Sequence, residues 1–329
     1  VHDGIKLQRV KKQLVYSDCY RIDTHKKVVI DSIDEGTYDK FSADTVLPVL
    51  QSIVYGKAKK DVQGWKRKLY SISIDGNSVA VLTVLSKYGF IHRINHGPVF
   101  SNEIDDEDRI MVIEAVKKLF SGVTKGVFFF APSLRRTGYN INSMLSMGFK
   151  YRTEYFSTGF IDLNKQEEEL RKELSSKWRN CLKNAEKKGL IVQEIKDKEE
   201  FYRLQNLHAT DKEIRGYSDS GDDITEYLYE HNSLLGLYVK NDSGDIISFV
   251  IIALHGKTAT YYIGWSNKEG YKSNASRLLL WDSMIRLKSR GYHWFDLGGI
   301  DFINTKGVAE FKSGTGCNMC EYVGEFVAY

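Results

Sequence analysis

Apolar positions over residues 44–164 change period several times, and each change marks an element. Residues 45–60 carry helical spacing, with Pro48 tolerated in the first turn, where a missing N–H loses no partner. Residues 69–74 and 78–85 are β-rich runs parted by Asp75-Gly76-Asn77, a hairpin turn signal. A third strand is expected over 90–95, and Ile110, Val112, Ile113, Val116 and Leu119 space a helix over 106–120. An apolar strand over 127–131, a short helix ending at Gly148 and a strand over 151–161 follow.

The same order then returns. Runs at 235–240 and 246–254 flank the turn Asn241-Asp242-Ser243-Gly244, and 258–265 reads as the next strand. Leu278, Trp281, Met284, Ile285 and Leu287 line one side of a helix over 274–290, followed by strands over 292–297 and 321–327. Hairpin, third strand, helix, strand therefore occurs twice, with little identity between the copies. The fold class expected is α/β with mixed sheets, in two units over 1–164 and 165–329; coincidence of a common element order is the rival reading.

Between the copies lies a charged segment expected to be one helix over 167–188. Leu170, Leu174, Trp178, Cys181 and Ala185 step by three or four and form its apolar stripe, and Gly189 stands where helices end. Arg171, Arg179, Lys183 and Lys187 share a neighbouring face. They are either a solvated surface partly compensated by Glu173 and Glu186, or a patch that faces phosphates.

A length of 329 residues suits two domains of roughly 100–200 residues each. Hydrophobic residues at 42% and charged residues at 27% exclude a disordered or fibrous chain. The longest apolar run, 246–254, is far short of the roughly 18 residues that span a bilayer. No basic-then-apolar segment opens the chain, so a secretion signal is not expected. Cys19, Cys181, Cys317 and Cys320 are too few and scattered for a disulfide framework, which points to a reducing, cytoplasmic setting. Cys317 and Cys320 form a C-x-x-C without a second pair, so no metal is expected. The net charge of +4 leaves a nucleic-acid partner open.

Several short runs resemble the FemABX family of aminoacyl transferases, tandem proteins of the GNAT acetyltransferase superfamily. They are Gly97-Pro98-Val99, Lys177-Trp178-Arg179-Asn180, Asn184 to Gly189, and above all a closing series. That series runs Arg290-Gly291-Tyr292, Phe295 to Ile300, Gly307, Phe311-Lys312-Ser313-Gly314 and Glu321 to Phe326. The matches keep their order from Gln51 to Phe326. The resemblance implies a first GNAT-like domain, 1–164, that binds the acceptor, and a second, 165–329, that carries the linker helix and the catalytic motif. It also implies an aminoacyl-tRNA donor, no cofactor, and as acceptor the amine of a peptidoglycan precursor or related nucleotide- or lipid-linked cell-envelope glycan.

On the same resemblance Phe311 and Lys312 take the catalytic position, where an ammonium can stabilise the oxyanion formed as an amine attacks an ester. Gln51, Tyr55 and Lys59 match a family spacing whose lysine contacts phosphates, a role that suits a point charge. Thr210 and Lys212 match a pair in which the family has arginine, and lysine cannot make its bidentate contact. Tyr262 is placed to line the acceptor groove or to pack as a strand tyrosine, and Gly97 belongs to the substrate-side motif. His96 departs from the family's arginine, and Gly314 to Cys320 departs from its glycine-rich run.

An acyl-CoA-dependent N-acyltransferase is the main rival. Such an enzyme needs a glycine loop that lets backbone N–H groups reach a pyrophosphate. Asn267 to Lys272 and Arg135 to Asn140 are the nearest loops, and neither has the full pattern. Asp296, Asp301 and Glu310 are candidate bases, each with an equally simple role as a cap or structural carboxylate. A non-catalytic binding module is the third reading.

Overall fold

The structure, a computed structural model, describes residues 26–122, 124–153, 155–214 and 222–329. Cys19 and the chain start lie outside the described residues. The first half runs β1 (Val28–Ser32), α1 (Glu35–Ser42), a 3-10 turn (Val49–Gln51), α2 (Ile53–Gln63), β2 (Lys66–Ile74), β3 (Asn77–Lys87), β4 (Ile91–Gly97) and β5 (Val99–Phe100). It continues through α3 (Asp106–Phe120), β6 (Val127–Pro132), α4 (Gly138–Ser146), β7 (Lys150–Thr153) and β8 (Phe156–Asp162). The linker supplies α5 (Glu167–Glu173) and α6 (Ser176–Lys187), followed by β9 (Val192–Glu194), α7 (Lys198–Ile214) and α8 (Asp222–Glu230). The rest is β10 (Leu234–Lys240), β11 (Ile246–His255), β12 (Thr258–Ser266), α9 (Lys268–Ser273), α10 (Ala275–Ser289), β13 (Trp294–Asp296), α11 (Lys306–Ser313), β14 (Asn318–Tyr322) and β15 (Glu325–Ala328).

Local chemistry explains where the expected elements shift. The helix expected over 45–60 starts later: Pro48 is extended, and the Ser52 hydroxyl caps α2 by accepting from the Tyr55 N–H. The linker is two helices, because Leu174 is extended and Ser175 caps α6, its own N–H donating to the Gly314 carbonyl at 2.9 Å. In its stripe Leu170, Leu174, Trp178 and Ala185 are buried as expected, with Leu182 the further buried position, while Cys181 is half-buried. The runs expected as strands over 151–161 and 321–327 each break into two strands with a sharp change of partner.

That change of partner organises the molecule. The first sheet is ordered β1-β2-β3-β4-β6-β15-β7 and the second, read the other way, β9-β10-β11-β12-β13-β8-β14. The two orders match position for position, with β4 and β6 parallel in one and β12 and β13 parallel in the other. At the sixth position each sheet takes its strand from the opposite half: β8 leaves β7 to join the second sheet, and β15 leaves β14 to join the first. Residues 156–162 therefore belong to the second sheet and residues 325–328 to the first.

Both cores record the exchange. Val323, Phe326 and Ala328 are buried under the first sheet among Phe128, Phe130 and Val116. Ile161 and Leu163 are buried in the second with Trp178 and Phe295. A smaller apolar cluster bridges the halves, with Val49, Tyr55 and Ala58 against Ile224, Leu228 and Ala253. Two β-bulges occupy equivalent places: His96 is the extra residue of β4 and Tyr262 that of β12. Bulges re-aim side chains, and both of these face the region where the halves meet.

Candidate active site

The second half supplies a buried cation. β12 and β13 pair only from Thr258 to Thr260 and then part, leaving a gap beside Gly298 and Gly299. Lys312, in the last turn of α11, enters this gap with only 6% of its surface exposed. Its Nζ donates to the Gly299 carbonyl at 2.9 Å and lies 5.0 Å from the centre of the Tyr261 ring. Gly298 has φ 67°, and a Cβ there would lie 3.0 Å from the Tyr261 carbonyl, so glycine is required. Burial pulls the Lys312 ammonium down to about 8, while the Asp296 carboxylate pulls the other way. Asp296 is itself pushed up by burial and is held by the Thr158 hydroxyl and the Gly298 N–H.

Phe311 braces this lysine. Its ring stacks on Trp178 with centroids 6.2 Å apart, its carbonyl accepts from Trp178 Nε1 at 3.0 Å, and Arg277 lies 5.8 Å above its ring. The linker helix α6 thus fixes α11. A Cβ on Gly314 would come within 2.9 Å of the Trp178 ring, so the closing motif and the linker motif touch.

The strand crossover forms a pocket of about 270 Å³. Its walls include Arg93, Asn95 and His96 of β4, Tyr155 and Phe156 leading into β8, and Tyr322 and Glu325 on either side of the β14 to β15 crossover. The His96 ring lies 4.5 Å from Phe156 and 6.1 Å from Tyr322, so three rings stack along one side. Arg93 pairs with Glu325 at 2.7 Å, and Arg152 stands 3.6 Å from the same carboxylate.

Pocket and cation adjoin. A Cβ on Gly299 would sit 3.6 Å from the Phe156 ring, and the Gly299 carbonyl holds Lys312. Phe156 and Thr158 project to one face of β8, one lining the pocket and the other bonded to Asp296. Only the Phe156 ring and Gly299 separate the pocket from Lys312.

Tyr55, Lys59 and Tyr262 group at the cluster that bridges the halves, and Gly97 packs on Gln51. Tyr55 and Tyr262 pack together in the bridging cluster, and Lys59 lies 5.6 Å over the Tyr55 ring with its Nζ donating to Gln63 at 2.7 Å. Burial first, then the Arg93 and Lys87 charges, push the Lys59 ammonium down, which marks three cations in one neighbourhood. Gly97 acts through its missing side chain: a Cβ would lie 2.6 Å from the Gln51 amide, which donates to Asn95 at 2.7 Å and accepts from the Thr83 N–H at 2.8 Å. Gln51 is thus a structural clasp beneath the bulge.

Thr210 and Lys212 are not brought into this group. They lie in the last turns of α7, where the Thr210 hydroxyl donates back to Asn206 and Thr210 lines a separate groove of about 860 Å³ with Tyr202, Arg203 and Trp265.

Two candidate bases are structural. Asp301 accepts from the Ile303 and Asn304 N–H groups, which hold its carboxyl low, and Glu310 is exposed opposite Lys306 at 3.9 Å. Cys317 lies 3.7 Å from the Lys312 carbonyl, and no metal-holding cluster of His, Cys, Asp or Glu occurs among the described residues. The glycine of the loop 267–272 is closed off, since a Cβ on Gly270 would strike the Ile247 carbonyl at 2.2 Å. The loop 135–140 precedes α4, whereas the first-half counterpart of α10 is α3, whose first turn holds Asp106, Glu107 and Asp108. That turn repels polyphosphate; the first turn of α10 carries no acid. Tyr322 and Glu325 fall in the Glu321 to Phe326 run of the closing series, whereas Phe156 and Thr158 carry no motif, and the strand exchange is what brings the four together.

Comparisons agree with this architecture. The family model for the acetyltransferase (GNAT) domain matches residues 170–313. The solved structure of FemX superposes with a TM-score of 0.71 at 17% identity, covering 91% of this chain and 96% of that one. A conserved protein of unknown function from Bacteroides thetaiotaomicron VPI-5482 gives 0.52 at 10% identity, covering 92% and 99%. No curated protein matches the sequence. The domain match over residues 170–313 makes the chain an acyltransferase with a GNAT domain in that segment, and the likeness to FemX extends the shared fold over the rest. Its arrangement, two GNAT-like halves in one chain, is FemX-like. No helix among the described residues is long and apolar enough to cross a membrane.

Proposed function

We propose that this acyltransferase moves an amino acid from aminoacyl-tRNA to a primary amine of a cell-envelope glycan precursor, such as a peptidoglycan intermediate, in the cytoplasm and without a resident cofactor. The observation that carries this reading is the contact between the Lys312 cluster and the crossover pocket through Gly299 and Phe156. The donor ester would lie with its carbonyl oxygen toward Lys312, and the amine would attack from the pocket. As the amide bond forms, negative charge collects on that oxygen, where a preorganised ammonium is worth most in a dry site. The aromatic walls exclude water that would otherwise hydrolyse the ester.

Lys59 and Lys87, close enough for their charges to act on each other and on Arg93 of the pocket wall, support an acceptor that carries phosphate. Lys212, on α7, would serve only a more extended substrate. The packed Gly270 weakens the acyl-CoA alternative. The test is a transfer assay with charged tRNA or acyl-CoA offered to amine-bearing glycan precursors, new amide being detected by mass. Turnover with charged tRNA supports the reading, turnover with acyl-CoA alone replaces the donor, and binding without turnover favours a binding module.

A further inference from the structure

His96 is the extra residue of the β4 bulge, and its backbone is left-handed, with φ 51°. A non-glycine residue there is strained by roughly 1–3 kcal/mol, a cost usually met at functional positions. The bulge turns the ring away from the sheet and into the crossover pocket, against Phe156 and Tyr322. Among the described residues neither ring nitrogen has a hydrogen-bond partner. The Phe156 ring that His96 covers is the one that touches Gly299 and so adjoins Lys312. Among the described residues that line the pocket, Glu325 is the one carboxylate, and it is engaged by Arg93 and Arg152.

We propose, resting on the acyl-transfer reading above, that His96 takes the proton from the attacking amine and passes it to the leaving oxygen. The amine nitrogen bonds to the acyl carbon, the carbon–oxygen bond to the donor breaks, and the proton shed by nitrogen travels through the imidazole to that oxygen. Burial holds the ring down to about 4 against the pull of Glu325, so the imidazole is neutral with a lone pair available through the working pH range. Among the described residues the other ionisable groups that line the pocket with it are Arg93 on β4, Tyr155 before β8, Tyr322 on β14 and Glu325 on β15. The nitrogen of the addition intermediate is far more acidic than a free alkylammonium, which lets a weak base suffice.

His96→Gly suits the test because glycine is at ease at this φ and leaves a space that imidazole can enter; His96→Asn keeps a polar side chain that tolerates the same backbone but accepts no proton. Transfer to a lysine-bearing precursor should fall by about 10²-fold or more in kcat for both variants, and added imidazole should restore part of the loss for His96→Gly only. Wild-type turnover with both variants within threefold of it would remove His96 from the chemistry and leave the acyl-transfer reading intact. Loss of activity without imidazole rescue would reduce His96 to packing, and absence of any transfer by wild type would overturn both.

Discussion

Lys312 is pulled two ways: burial favours the neutral amine, and Asp296 with the Tyr261 ring favours the cation. With its ammonium brought to about 8, it keeps its proton at neutral pH and loses it as pH rises through that value. If the cation stabilises the oxyanion, kcat/KM declines above about pH 8, and the residual activity of Lys312→Arg shows no such decline; a pH–rate profile of both proteins checks this. A lysine that acted only as a base would give the opposite slope. Lys59 is proposed to contact phosphate instead. Removing it as Lys59→Ala should raise KM for a phosphate-bearing acceptor by about tenfold while leaving kcat within a factor of two, a loss that fits one charge-assisted contact. An equal change with an acceptor lacking phosphate would detach Lys59 from that role.

At the scale of elements, the bulge in β4 depends on the clasp beneath it. Gly97→Ala puts a methyl group into the buried Gln51 amide, whose bonds to Thr83 and Asn95 tie α2 to two strands. We expect a loss of about 1–3 kcal/mol in urea unfolding together with lower transfer activity; unchanged stability would mean that Gln51 is not a clasp. Hairpins and helices of this kind were legible in the sequence, because Asp75-Gly76 and the spacing of 106–120 act locally. The FemABX resemblance likewise led to Lys312 through Phe311-Lys312-Ser313-Gly314. What periodicity could not show was change of partner: residues 151–161 and 321–327 have unbroken strand character, and no local signal says that each run serves two sheets. His96 was visible only as a departure before Gly97-Pro98, since a bulge is set by the neighbouring strand.

For the whole molecule, strand exchange means that neither half closes its own sheet. Val323, Phe326 and Ala328, at the end of the second half, complete the core of the first. Deleting residues 318–329 should therefore unfold the first half as well, and intact protein should melt in one transition by calorimetry; two separate transitions would contradict that coupling. The exchange also explains the site, because the two crossing segments, β7 to β8 and β14 to β15, form walls of the pocket and β8 runs from it to the Lys312 cluster. The proposed acyl and amine sides are thus joined through one strand, and both halves contribute residues to each. The most direct test is single-turnover aminoacyl transfer from charged tRNA to an amine-bearing precursor by wild type and Lys312→Met, with folding of both verified. The expected result is rapid amide formation by wild type and a rate lower by about 10²-fold or more for the variant. Equal rates would contradict the claim that this buried ammonium carries the reaction.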